Sequence, residues 1–154
     1  MSWVLANLPT IAGHLLAHLL QAVPAIIASF VLAIPIARLA RVARPLRAVL
    51  VTGSSLLYAV PSLALMSILM LGLGLGARTV IATVLLYSLL PIVRNTCAGI
   101  RSIRPQVLDA ARGMGMTALQ TVLRVELPLA LSVIMAGVRN ALVVAVGVTT
   151  IGTF

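Results

Sequence analysis

The stretch "LDAARGMGMTALQTVLRVELP", residues 108–128, is a polar interruption in a chain that is otherwise strongly apolar. It contains both acidic residues of the protein, Asp109 and Glu126, and has glycines at positions 113 and 115. Charged side chains are costly in the hydrocarbon core of a bilayer, so a helix of this composition does not suit contact with lipid. The apolar runs on either side therefore predict two membrane-crossing helices, with this helical segment outside the membrane between them.

The composition of the whole chain favours a membrane protein. Of its 154 residues, 62% are hydrophobic and 8% are charged, and the mean hydropathy is +1.21. Soluble domains carry about 25% charged residues. This chain has too little polar surface for that class, so we expect an all-α polytopic membrane protein. Its one cysteine excludes an internal disulfide. We expect no cleaved signal peptide, because the N-terminus lacks a basic region.

The basic residues are all arginines, and the net charge is +9. They alternate with apolar spans, which is the pattern of cytoplasmic loops under the positive-inside rule. Nucleic-acid binding is disfavoured, because the clusters lie between spans and stacking aromatics are scarce. We therefore expect the basic loops inside the cell and the N-terminus outside. The first cluster is Arg38, Arg41, Arg44 and Arg47, and the second is Arg94, Arg101, Arg104, Arg112 and Arg124.

The apolar runs predict a single transmembrane domain, 1–154, with spans over 15–37, 48–71, 79–100 and 128–151 and a loop over 101–127. Pro61 falls inside the second predicted helix, and Pro24 and Pro35 should loosen the first. Thr10 and Thr79 are candidate helix caps. Gly72 and Gly76 have the spacing of a helix-dimer face, but three alternating glycines favour a turn over 72–78.

The spacing within the opening stretch matches a known motif. Asp109-Ala110-Ala111 is followed by three residues and Gly115, and nine residues later come Val125, Glu126, Leu127 and Pro128. This pattern resembles the EAA signature of ABC importer permeases, with Asp in place of Glu and Val in place of Ile. The segments "YAVPSLALMSILMLGLGLG" and "LLYSLLPIVRNTCAGI" are similar to the permeases of osmoprotectant importers for glycine betaine, choline and carnitine.

The resemblance implies about four transmembrane helices of a five-helix type I permease core in a bacterial plasma or inner membrane. It implies a cytoplasmic ATPase subunit docked on the loop, a second permease subunit, and an extracytoplasmic substrate-binding protein. ATP and Mg²⁺ would be bound by the ATPase, since this chain has no lysine for a phosphate-binding loop. We expect no enzymatic activity and no cofactor or metal in this chain. The family core has one further helix after the span at 128–151. The chain ends at Phe154, so either it is a fragment or its partner completes the bundle.

The resemblance assigns the contact with the ATPase to the loop. Small residues there allow close approach of a partner surface. Asp109 would be favoured near a helix start or would face a partner arginine, and Pro128 suits the first turn of the next helix. The residues assigned to this contact are Asp109, Ala110, Ala111, Gly113, Gly115, Glu126, Leu127 and Pro128.

Candidates for the transport pathway are Arg139, Tyr58 and Tyr87. Arg139 is either a pathway or gate residue or a buried structural residue paired with Asn140 or with backbone carbonyls. The tyrosines either line the pathway or pack the core. The five aromatics are dispersed along the chain, which disfavours a full aromatic cage for a quaternary amine built from this chain alone. His14 and His18 have a metal-compatible spacing but suit the membrane interface better.

Two other functions stay open from the sequence. One is the same machinery carrying an amino acid or another small solute. The other is a membrane scaffold that does not transport.

Overall fold

The structure, a computed structural model, describes the backbone of residues 2–152, with the side chains at positions 2, 41, 42, 44, 46, 47, 51, 54 and 55 outside the described part. Three of the first-cluster arginines and Phe154 are therefore outside the described residues. The described chain is helical, and no β-strand occurs in it. Its elements are α1 Ser2–Ala6, α2 Leu8–Val42, α3 Arg44–Ala59, α4 Ser62–Leu73, α5 Ala77–Arg101, α6 Pro105–Gly113, α7 Ala118–Thr121, a π-helical turn Val122–Glu126, and α8 Leu127–Gly152.

Three stretches of helix are long and apolar enough to cross a membrane: Leu8–Ala40, Ala77–Arg101 and Ala118–Gly152. Large apolar side chains such as Leu16, Ile27 and Val143 are exposed along them. Apolar exposure over this length suits lipid rather than water. The prediction of an all-α polytopic membrane protein is confirmed.

The core of the molecule lies where α5 packs between α2 and α8. Its clusters are small and aliphatic, for example Ala33 with Ile92 and Ala141. Glycines bring α5 and α8 close together, since a Cβ at Gly137 would lie 2.8 Å from Asn95 Cβ and 2.9 Å from Pro91 O. Small residues at helix contacts are the usual means of close packing in membranes. Lipid tails are as apolar as the side chains, so the hydrophobic effect does not favour helix association there.

The second predicted span is not one helix, and the prediction of a continuous helix over 48–71 is wrong. The chain breaks between α3 and α4, where Val60 has the extended backbone angles φ −77° and ψ 127°. The residue before a proline is disfavoured in the α conformation, and Pro61 itself has no N–H to donate. At 12 residues, α4 reaches about 18 Å, which is less than a hydrocarbon core.

The helix ends also differ from the predicted caps. Thr10 lies inside α2, which begins after Asn7 and runs unbroken through Pro24 and Pro35. Gly76 precedes α5, and Thr79 lies within its first turn, donating its hydroxyl to Gly74 O at 2.5 Å. Gly74 and Gly76 both have positive φ angles, 77° and 120°, which suit glycine. The turn interpretation of this glycine-rich segment is therefore correct, although α4 includes Gly72.

Candidate functional site

The 101–127 loop folds into two short helices joined by a tight turn. The turn closes through the Gly115 N–H, which donates to Arg112 O at 2.9 Å. Gly115 has φ +74°, a left-handed conformation that ends α6 with little strain. Thr117 then begins α7 with a capping box, because its hydroxyl accepts from Gln120 N while Gln120 Oε1 accepts from Thr117 N. The loop therefore has a defined shape.

The π-helical turn joins this loop to α8 without a break. The Leu127 N–H donates to Val122 O, five residues back. A proline ring clashes with the carbonyl four residues before it, which for Pro128 is that of Arg124. We infer that the wider turn makes room for Pro128. Pro128 is the second residue of α8. The helix before it continues back through the π-helical turn into the loop.

The residues assigned to ATPase contact do not all lie on one surface. Ala111 and Glu126 are buried, with Glu126 only 4% exposed, so these two members of the set lie behind the loop surface rather than on it. Leu127 is half-buried. The exposed members of the set are Asp109, Ala110, Gly113, Gly115 and Pro128.

Asp109 is not at a helix start, so its predicted stabilisation by the helix dipole does not apply. It is the fifth residue of α6, which begins at Pro105. Its carboxylate instead lies 3.2 Å from the guanidinium of Arg112, and both side chains are exposed. Exposed pairs of this kind contribute about 0–1 kcal/mol, which leaves the carboxylate accessible to another cation.

Sequence reasoning missed an apolar surface on the loop. Met114, Leu119 and Leu123 are 74%, 64% and 56% exposed. Leu119 and Leu123 are four residues apart in continuous helix, so they share a face. The spacing of these two leucines within a polar loop is the sequence feature that could have predicted this surface. We call these three residues the loop apolar patch.

The two tyrosines form a pair that joins α3, α5 and the break before α4. Their ring centroids are 5.9 Å apart with an edge-to-face angle of 78°. The buried Tyr87 hydroxyl donates to Val60 O at 2.5 Å, and the Tyr58 hydroxyl donates to Tyr87 O at 3.2 Å. The carbonyl of Tyr87 lacks its helical donor because Pro91 has no N–H. Each hydroxyl thus covers a carbonyl left open near a proline, which is a structural role.

Arg139 is exposed on α8, and no hydrogen bond or ion pair joins it to another described residue. The alternative of a buried pair with Asn140 or backbone carbonyls is therefore wrong within the described chain. An open groove of about 640 Å³ lies between α3, α5 and α8, and Asn140, the next residue along the chain, lines it. Tyr58 lines the groove together with three polar side chains that sequence reasoning did not assign to a site: Arg94, Asn95 and Asn140.

In the described part of the chain, the two histidines do not belong to any group of three metal-binding side chains. His18 Nε2 lies 3.3 Å from Val146 O and 3.4 Å from Thr150 Oγ1. It therefore connects α2 with α8.

Comparison with known proteins agrees with the motif in the loop. Residues 25–154 match the family model described as binding-protein-dependent transport system inner membrane component. The chain is 47% identical over 137 residues to the glycine betaine/carnitine/choline transport system permease protein OpuCD of Bacillus subtilis. It is equally similar to the choline transport system permease protein OpuBD of that organism, and 43% identical to the carnitine transport permease protein OpuCD of Listeria monocytogenes.

These matches cover 89% of this chain but 60% or 61% of each relative. The chain thus spans about three fifths of the length of the curated relatives it matches. The matched region contains the loop, the groove and all three long apolar helices apart from the first part of α2. The chain belongs to the family of binding-protein-dependent transport system inner membrane components.

Proposed function

We propose that this chain is the transmembrane permease subunit of an ATP-driven importer for quaternary-amine osmoprotectants such as glycine betaine, choline and carnitine. The observation that carries the proposal is the 47% identity, over 89% of the chain, to a permease named for these three solutes. The apolar helices supply the membrane domain that such a subunit requires.

The 101–127 loop would be the contact with the ATPase subunit. It offers a capped helical shape, an exposed carboxylate at Asp109 and, in the same loop, the loop apolar patch. An apolar patch next to polar residues is typical of a protein interface, and burial of Leu119 and Leu123 would favour docking. The buried Glu126 and Ala111 would support the loop from behind rather than touch the ATPase.

The remaining assembly follows from the same proposal. The ATPase would bind ATP and Mg²⁺, a second permease subunit would complete the pathway, and an extracytoplasmic protein would deliver the substrate. The basic loops would be cytoplasmic, as the arginine clusters indicate. The glycine-rich turn before α5 would then face outside. Closure of the ATPase pair would move the loop as a unit and switch access to the pathway between two states.

Uptake measurements separate the substrate classes. The chromosomal gene is deleted and then restored, and uptake of labelled glycine betaine, choline and an amino acid is compared. We expect uptake of the quaternary amines to fall on deletion and to return on restoration. Loss of amino-acid uptake instead would favour the alternative substrate, and no loss of either would contradict the proposal.

Co-purification separates a permease from a membrane scaffold. Gly115→Glu adds a bulky charge at a left-handed turn beside the loop apolar patch, so the ATPase should be lost from the purified complex. Gln106→Glu adds the same charge at an exposed position near the start of α6 and should retain it. Equal recovery of the ATPase with wild type and Gly115→Glu, or no recovery with either, would favour the scaffold.

A further inference from the structure

The groove between α3, α5 and α8 carries a positive charge, Arg94, which lies inside the apolar helix α5 and seven residues before its end at Arg101. Gly137 of α8 packs against Pro91 and Asn95 of α5, so the two helices share a height there. On α5, these positions lie six and ten residues before the end at Arg101, or about 9–15 Å along the axis. Arg94 projects into the groove at this level. A charge at such depth normally faces a polar cavity and pairs with another group.

No carboxylate of this chain is available to pair with Arg94 there. The two acidic residues, Asp109 and Glu126, both lie in the 101–127 loop. Glu126 precedes Asn140 by 14 residues, about 21 Å along a helix. The field in the groove is therefore positive, and it favours an anionic group supplied from outside the chain.

The polar side chains around Arg94 complement a carboxylate. A guanidinium binds a carboxylate through two parallel hydrogen bonds. The exposed Asn140 amide makes no hydrogen bond with any described residue, which leaves its N–H groups available. The Asn95 amide is already directed along α5, since it donates to Pro91 O at 2.8 Å. Arg94 and Asn140 therefore form the end of the groove that suits an anionic group.

The other wall of the groove suits a quaternary ammonium. Tyr58 is partly exposed in it, while Tyr87 behind is buried. One accessible ring gives a weak cation–π contact rather than a tight cage. Weak binding is what a transport pathway needs, because the substrate has to leave again. At about 640 Å³, the groove is within the usual size range of small-molecule sites.

We propose that this groove is a pathway subsite that distinguishes zwitterionic quaternary amines from purely cationic ones. Arg94 and Asn140 hold the carboxylate of a substrate such as glycine betaine or carnitine, and Tyr58 contacts the trimethylammonium group. Choline has no carboxylate and gains nothing from Arg94. This proposal rests on the proposed function above.

The test is the ratio of glycine betaine uptake to choline uptake in cells carrying chromosomal variants. Arg94→Gln removes a charge-assisted contact made by glycine betaine alone, so the ratio should fall about tenfold or more. Asn140→Asp is nearly isosteric, repels a carboxylate, and should lower the ratio in the same way. Arg78→Gln is the matched control, because Arg78 is exposed at the far end of α5, outside the groove. Its ratio should be that of wild type.

The results separate this proposal from the proposed function. An equal fall in both solutes for Arg94→Gln and Asn140→Asp, at unchanged membrane protein level, would overturn the subsite and assign Arg94 to a carboxylate of the partner subunit. Unchanged ratios would overturn it too. A wild-type importer that carries choline but neither zwitterion would exclude the subsite and leave the permease proposal intact. Uptake of no quaternary amine by wild type would instead contradict the proposed function.

Discussion

At the scale of single residues, the described structure depends on side chains that replace missing backbone donors. Pro61 interrupts the chain between α3 and α4, and the exposed carbonyl of Val60 accepts from Tyr87. Pro91 leaves the Tyr87 carbonyl without its helical donor, and Tyr58 supplies one. A carbonyl left open in hydrocarbon has no water to bind. The tyrosine pair is therefore a direct consequence of the two prolines.

Tyr87→Phe should destabilise the protein more than Tyr58→Phe. The Tyr87 hydroxyl is buried and its loss leaves Val60 O uncovered, at a cost of about 1–3 kcal/mol. Tyr58 is partly exposed in the groove, where water can replace its hydroxyl. Thermal unfolding of the purified protein in detergent measures both variants. Equal stability of Tyr87→Phe and wild type would contradict the structural role of this hydroxyl.

The sequence indicates these residues but not their roles. Tyr58, Tyr87 and Arg139 can be recognised in the sequence as polar or aromatic groups in apolar spans. Arg94 and Asn140 become candidate site residues only because they line the groove. Ala111 and Gly113 are both small, yet Ala111 is buried and Gly113 is exposed. Which face of α6 turns inward depends on its packing against the rest of the chain, and composition alone does not contain that information.

At the scale of helices, sequence patterns predict long uninterrupted spans better than broken ones. The helices predicted over 79–100 and 128–151 correspond to α5 and α8, because Arg78, Arg101 and the polar loop mark their ends. Pro61 does not by itself predict a helix break, because three other prolines lie inside continuous helices: Pro24, Pro35 and Pro91. The break at Pro61 is instead accompanied by a hydrogen bond from Tyr87 on another helix, and such a tertiary contact is not visible in local sequence.

The packing of α5 against α8 gives a prediction with an internal control. Gly137→Ala places a Cβ 2.8 Å from Asn95 Cβ and 2.9 Å from backbone Pro91 O, so the two helices must separate. We expect a loss of about 1–3 kcal/mol, seen as a lower unfolding temperature. Gly147→Ala on the same helix meets no atom within 4 Å and should leave stability unchanged or slightly improved. Equal effects at the two positions would show that close helix contact at Gly137 is unimportant.

At the scale of the whole molecule, the proposed orientation places the glycine-rich turn and the 101–127 loop on opposite sides of the membrane. Leu75 in the turn and Met114 in the loop are both highly exposed. After replacement of Cys97, single cysteines at these positions can be labelled in intact cells with a membrane-impermeant maleimide. Leu75→Cys should react at once and Met114→Cys only after permeabilisation. The reverse order would contradict the orientation derived from the arginine clusters.

The central claim is that the loop apolar patch links this membrane domain to an ATPase that drives import of quaternary amines. The most direct test is uptake of labelled glycine betaine by cells carrying Leu119→Glu in the chromosomal gene, with Gln106→Glu as the charge-matched control. Leu119 is 64% exposed, so the change should not disturb the fold. At equal membrane protein levels, we predict that Leu119→Glu loses uptake and Gln106→Glu retains it. Undiminished uptake by Leu119→Glu would contradict the account.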